Sequence, residues 1–382
     1  MTGLPDALHA IADRLEAERA AARPIIASLR TTLDTAWEVV LPESWRTLGF
    51  VQELTSTAAG VLEQDPAHSR ALAQFALAVA TAVPQRDYPP IVIAQVEGHA
   101  WKELGTAHRY LSSYYAALRA YEAGRVCFAQ FGALANDQAS IDLATAIVLS
   151  EVGRQDEALA LIAQATAVFT SFGDDKRVVH GGLLKAMIYH RNGDLRAART
   201  AYEDVLVSAG HGDDLHSLAA IHNNLGQVLV DLNETGAAAT ALGRARELFA
   251  GLQMPAEVAR TEGALAQLCV HNHAYDDALT LLRRVRAQFL QLGMVHEAGV
   301  AALNIVDVLL ATSKPDEAQQ LTATVLAEFR AAGLNERALL ALEYLRELLR
   351  EHHRPGAAIQ HVRSYLEALR TQPARVFLPL PK

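Results

Sequence analysis

Alanine recurs at positions 117, 158, 198, 238, 278, 318 and 358, one spacing of 41 residues followed by five of 40. A second series runs in phase with it: Phe128, Phe169, Ala209, Phe249, Phe289, Phe329 and Leu369. Either series alone carries little weight in an alanine-rich chain, but two in register constrain the fold severely. A unit of this length cannot bury its own apolar face, so its copies must stack on one another.

Composition identifies the unit as helical. Of 382 residues, 71 are Ala and 54 are Leu, both strong helix formers, whereas aromatic residues make up only 6%. The chain is also longer than a single compact core usually serves. Each unit reads as helix, tight turn, helix, loop. Polar stretches mark the turns: VGRQDEA before Leu159, RNGDLRAA ending at Ala198, NHAYDDA ending at Ala278 and TSKPDEA ending at Ala318. The alanine allows the second helix to approach the first closely, and the later Phe fills the gap between neighbouring units. Gly132, Gly173, Gly293 and Gly333 follow the second helix as left-handed stops.

Trp101, Leu104, Gly105, Ala117 and Tyr121, and again Leu225, Gly226, Leu229, Ala238 and Ala245, resemble the tetratricopeptide (TPR) pattern. That family's unit is roughly 34 residues; the longer unit here is similar to those of kinesin-light-chain-like proteins and bacterial peptide-sensing regulators. The resemblance implies an all-α, right-handed superhelical solenoid of antiparallel helix pairs, with seven units over 96–371. Residues 1–95 are helical but out of phase, with helices expected over 6–22, 24–40, 43–62 and 66–83. Trp45, Leu48 and Gly49 echo Trp101, Leu104 and Gly105 at an interval of 56 that breaks the period. This region is a divergent cap or a separate helical effector segment. The proline-bearing tail, 372–382, is expected to be extended.

Thirty-four basic against 43 acidic residues give a formal charge of −9, so no basic face for nucleic acid is expected. Two cysteines, Cys127 and Cys269, exclude a disulfide framework. The acidic start does not read as a signal peptide, and the most apolar stretch, 71–83, is too short to span a bilayer. The expected location is cytoplasmic, without membrane contact.

Catalytic motifs are missing. There is no Walker sequence, and His296-Glu297-Ala298-Gly299-Val300 lacks the second histidine that a zinc-protease helix needs. The stretch from His211 to His216 gathers four candidate ligands in six residues but reads as an inter-unit loop, and His271 and His273 flank a turn. The reading is therefore of a non-enzyme without metal or cofactor.

Function then rests on the concave side, which the resemblance assigns to the first helix of each unit. Counting back from the register alanines gives Lys102, Glu103, Thr106 and Arg109 in the first unit, and His180, His190 and Arg191 in the third. The fourth supplies Asn223, Asn224 and Gln227; the fifth Arg260, Gln267 and His271; the sixth Asn304 and Asp307; the seventh Glu343 and Glu347. Amide side chains both donate and accept, which suits an extended peptide backbone. By resemblance, Asn224 matches a position that holds ligand backbone, while Lys102, Arg109 and Arg260 suit acidic groups. The second unit presents Ser140, Leu143, Ala144 and Ile147, so a two-carboxylate clamp for chaperone tails is incomplete. From Arg346 to Lys382 seven basic and three acidic residues make a basic end suited to an acidic partner surface. The expected function is a protein-interaction scaffold or regulator holding a protein or peptide segment in this groove, sequestering for instance a transcription or sigma factor, protease or toxin. The alternative is a receptor for a short signalling peptide with a helical output module.

Overall fold

A computed structural model describes residues 3–29, 41–209, 214–332, 336–350, 356–369 and 375–380. Among them are seventeen α-helices and no strand. The chain divides into two compact units, Met1–Gly181 and Gly182–Lys382.

The first unit holds α1 (Gly3–Leu29), α2 (Leu48–Val61), α3 (Pro66–Ala82), α4 (Pro90–Tyr110), α5 (Tyr114–Ala129), α6 (Ala135–Glu151) and α7 (Gln155–Phe172). Helix α8 (Asp175–Arg191) contains the boundary. The second unit continues with α9 (Leu195–Ala209), α10 (Leu215–Asp231), α11 (Thr235–Gly251), α12 (Pro255–His271), α13 (Tyr275–Gln291), α14 (Val295–Ala311), α15 (Pro315–Ala331), α16 (Glu336–Arg350) and α17 (Gly356–Leu369).

The turns inside the pairs repeat as strictly as the alanines do. A left-handed residue stands at Ser112, Gly153, Gly193, Asn233, His273 and Ser313, which are again 41 and then 40 residues apart. At each turn the next amide reaches back across the helix end, as in Ser113 N to His108 O (2.8 Å), Glu234 N to Leu229 O (2.8 Å) and Lys314 N to Leu309 O (2.8 Å). This is a Schellman closure, which satisfies carbonyls that the helix terminus leaves free. Because one left-handed residue sets the turn, the polar stretches can differ in sequence while the geometry stays fixed. Between pairs, Gly173, Gln253 and Gly293 take the same conformation.

The register alanines are buried in all seven pairs, and Phe128, Phe169, Phe249, Phe289 and Phe329 are buried with them. Phe289 packs with Ala259 of its own pair and with Ala298 and Ala301 of the next, the wedge position. Each such ring contributes about 1.5–3 kcal/mol by leaving water.

Twelve residues before each register alanine lies a position that decides how closely a pair can approach. It reads Gly105, Ala146, Ala186, Gly226, Ala266, Val306 and Arg346. A Cβ on Gly226 would fall 2.6 Å from Leu242, and one on Gly105 2.4 Å from the Tyr121 ring. Leaving α8/α9 aside, pair contact among the described residues falls as this residue grows. It is most extensive in α4/α5 and α10/α11, which have glycine, and intermediate in α6/α7 and α12/α13, which have alanine. Among the described residues it is less with Val306 in α14/α15 and less again with Arg346 in the shorter helices α16/α17. In the last case α17 packs on α14 as well as on α16, and the Arg346 Nε is buried with no hydrogen-bond partner.

Several expectations are corrected. The helices expected over 6–22 and 24–40 are one helix through residue 29, with Pro24 inside it. A mid-helix proline costs about 3 kcal/mol, and burial of Ala22 and Ile26 in the cluster shared with α2 and α3 offsets it. Residues 30–40 lie outside the described residues. The helix expected over 43–62 is interrupted: Glu43–Trp45 is a 3-10 turn, and α2 starts afresh where Thr47 Oγ1 accepts from Phe50 N (3.2 Å). Gly132 opens a short 3-10 turn instead of taking a left-handed conformation, and Gly333 lies outside the described residues. Of the 372–382 tail, residues 375–380 are free of helix, but they are docked: Phe377 packs on Tyr344, Tyr365 and His361.

Candidate functional site

In the second unit the first helices α10, α12 and α14 bring Gln227, Arg260, Gln267 and Asn304 to the lining of one cavity of about 350 Å³. All four are residues expected from the resemblance together with the register. The second helix α13 supplies an apolar floor of Leu282, Val285 and Phe289. The lining also includes three groups that spacing did not single out for this purpose: His296, Glu297 and Glu367. Arg260 is held between Glu257 and Glu297, so its guanidinium is oriented at the cavity and its charge partly balanced. His296 stacks on Phe329 and donates through Nε2 to the Leu366 carbonyl of α17 (2.8 Å). Asn304 Oδ1 accepts from Arg363 Nη1 (2.6 Å). Burial pushes the Asp307 carboxyl above the ordinary aspartate range, with Arg363 opposing the shift. Chemically, the cavity offers an apolar floor for one or two large side chains and a rim of amide donors and acceptors for backbone.

Other expected residues find partners within the array. Asn223 Oδ1 accepts from Thr261 Oγ1 (3.1 Å), and Asn224 Oδ1 accepts from Asn223 Nδ2 (3.4 Å). His190 Nε2 lies 3.0 Å from Asp231 Oδ2, and His271 Nε2 lies 2.7 Å from Asn233 Oδ1, both near helix ends. Arg191 is exposed at the end of α8. Glu343 pairs with Arg330, and Glu347 is exposed.

The first unit has its own recess, about 400 Å³, lined by Lys102 together with Arg19, Gln52, His99, Glu103 and Arg177. Here the first helices interlock: His99 Nε2 lies 3.2 Å from Asp137 Oδ1, and Gln95 Nε2 donates to Asp137 Oδ2 (3.0 Å). Burial pushes the Asp137 carboxyl up, but the hydrogen bonds from His99 and Gln95 outweigh it and hold the group below the ordinary range. Burial, reinforced by the Lys102 charge, lowers the His180 pKa. Thr106 Oγ1 sits 3.2 Å from the Tyr121 hydroxyl. Arg109 lies over the Tyr110 ring at 4.7 Å and does not line the recess.

His211 to Asp213 fall outside the described residues; His216 packs edge-on against Phe249. Among the described residues no group of three or more His, Cys, Asp or Glu side chains is placed to hold a metal ion, and no helix is long and apolar enough to cross a membrane. Burial raises both thiol pKa values, helped by Glu97 at Cys127 and Asp277 at Cys269, the opposite of what a nucleophile needs.

No protein-family model and no curated protein matches the sequence. Solved structures do. Apo RapI is similar over 96% of this chain and 98% of its own, with a TM-score of 0.62 at 11% identity. A STAND protein with a tetratricopeptide repeat sensor, PH0952 from Pyrococcus horikoshii, is similar over 88% of this chain and 51% of its own (TM-score 0.57, 10% identity). A Rap protein complexed with Competence and Sporulation Factor is similar over 93% and 99% (TM-score 0.53, 12% identity). At such identities the likeness establishes the fold, and that fold is TPR-like: an all-α repeat of helix pairs.

Proposed function

We propose that this chain is a non-enzymatic regulator that binds a protein or peptide segment along the first helices of its second unit. The observation that carries the reading is the convergence of Gln227, Arg260, Gln267 and Asn304 on one cavity with an apolar floor. Amides above an apolar floor suit a segment that brings both backbone groups and large side chains. The recess of the first unit has only Ala59 and Val96 as apolar lining, so the second unit, with its apolar floor, is the stronger candidate. In this reading the bound segment belongs to a regulated protein, such as a transcription or sigma factor, protease or toxin, and residues 1–95 act as a divergent cap or output segment. A second reading, a receptor for a short signalling peptide, is favoured by the likeness to the Rap protein whose structure holds Competence and Sporulation Factor.

The test is affinity capture from the native host with the full chain, in parallel with a Gln227→Ala/Arg260→Ala/Gln267→Ala variant, followed by mass spectrometry. A protein or peptide retained by the wild type and lost from the variant supports the reading. Identical capture by the two removes this groove.

A further inference from the structure

The last helix is shared between its own pair and the pair before it. Arg346 stands where six other pairs have Gly, Ala or Val, and α17 makes less contact with α16 than any compared second helix makes with its first. It also lies against α14, on a face that includes Asn304 and Asp307 of the expected groove. His296, Val300, Asn304 and Asp307 follow one another at four, four and three residues, a single helix face. Arg363 of α17 donates to Asn304 (2.6 Å) and the Leu366 carbonyl accepts from His296 (2.8 Å). Glu367 reaches the lining of the adjoining cavity.

The helix brings an apolar stripe with it. Ile359, Val362, Leu366 and Leu369 are buried in one cluster with Ala302 and Ile305 of α14 and Leu342 and Leu345 of α16. Its outer side is covered by the tail: Tyr365 donates its hydroxyl to the Arg375 carbonyl (2.8 Å), and His361 Nε2 donates to the Leu378 carbonyl (2.7 Å). The arrangement is that of a helix bound in a groove, with the difference that it is covalently attached.

We propose that the α14 face is a binding surface for an amphipathic helix, and that α17 is its tethered occupant. A partner helix with apolar residues at the spacing of Ile359, Val362 and Leu366, and an arginine aligned with Arg363, replaces α17 there. Occupancy by the tether lowers apparent affinity for such a partner by the fraction of time the face is closed. This inference rests on the reading of α12 and α14 as a groove and names the partner class.

The probe is a fluorescein-labelled synthetic peptide of residues 354–371, titrated by fluorescence anisotropy into the full chain. The recipient is either wild type or a Val362→Asp/Arg363→Glu variant whose own α17 no longer fits. The expected result is saturable binding to the variant at least tenfold tighter than to wild type, and none when the peptide itself carries both changes. Absence of saturable binding to the variant, or equal binding to both chains, overturns the proposal. Should the variant lose its helical circular dichroism, hydrogen exchange on the wild type decides. Amides of α17 are expected to exchange at least a hundredfold faster than those of α14 and α15, and equal rates overturn the tether. Neither measurement needs the native partner, so failure here is distinguishable from failure of the capture experiment.

Discussion

Two helix pairs of the second unit, α10/α11 and α16/α17, share the register alanine and behave differently. Ala238 and Ala358 are both buried, so a small residue on the second helix does not by itself close a pair. The residue facing it from the first helix differs. Gly226 leaves only 2.6 Å between a notional Cβ and Leu242, whereas α16 carries Arg346 at the equivalent position. Close packing of α10 and α11 follows, while α17 divides its packing between α16 and α14. Close approach is therefore a two-sided condition, and failing it on one side converts a scaffold helix into an occupant of the groove.

Transplanting the difference breaks the comparison most severely. Gly226→Arg is expected to cost more than about 3 kcal/mol, because α11 must move away and a guanidinium is trapped between the helices. Equilibrium urea unfolding followed by helical circular dichroism measures it. A loss below about 1 kcal/mol would mean that the pair tolerates a long side chain, and the account of α17 would fail with it. Next in size, Ala238→Trp should cost about 3 kcal/mol through overpacking, with Ala358→Trp costing less than half of that because α16 and α17 are in less extensive contact. Equal losses would show that both alanines are gripped alike. In the opposite direction, Arg346→Ala relieves the unpartnered Nε and is expected to raise stability by about 1 kcal/mol while increasing hydrogen-exchange protection of α17. Unchanged protection would separate Arg346 from the placement of α17.

Much of this was legible in the chain itself. The period, the helix pairs and the buried alanines follow from two phased series, and Gln227, Arg260, Gln267 and Asn304 fall on the cavity because register dictates which face of a first helix they occupy. What spacing could not supply was partnership. Asn223 meets Thr261 and His190 meets Asp231, contacts set by neighbouring pairs and invisible in any one of them. The close-approach series was half hidden, since Ala146, Ala186 and Ala266 vanish into a background of alanine and only the two glycines stand out. Pro24 was misjudged because local cost was weighed without the burial of Ala22 and Ile26 that offsets it. The position of α17 needed three-dimensional structure, although Arg346 in a column of small residues was its signal.

The smallest expected effect tests how firmly α17 is seated. Burial raises the Asp307 pKa, with Arg363 opposing, so the folded chain binds this proton more tightly than the unfolded chain does. The linkage then has a definite sign. At neutral pH the ionised, partly buried carboxylate is a net cost, and the cost is relieved as pH falls through the raised folded value toward the ordinary aspartate value. Relative to an Asp307→Asn variant, wild type should therefore gain stability as pH falls through the raised folded value, read as a converging pair of urea midpoints. The variant itself should be the more stable of the two at neutral pH. If Arg363 instead dominated the environment of Asp307, the order at neutral pH would reverse and the wild type would lose ground on acidification. That outcome would make the Asp307–Arg363 attraction part of what seats α17, whereas the expected one leaves the seat to the Arg363–Asn304 and His296–Leu366 hydrogen bonds and the apolar cluster.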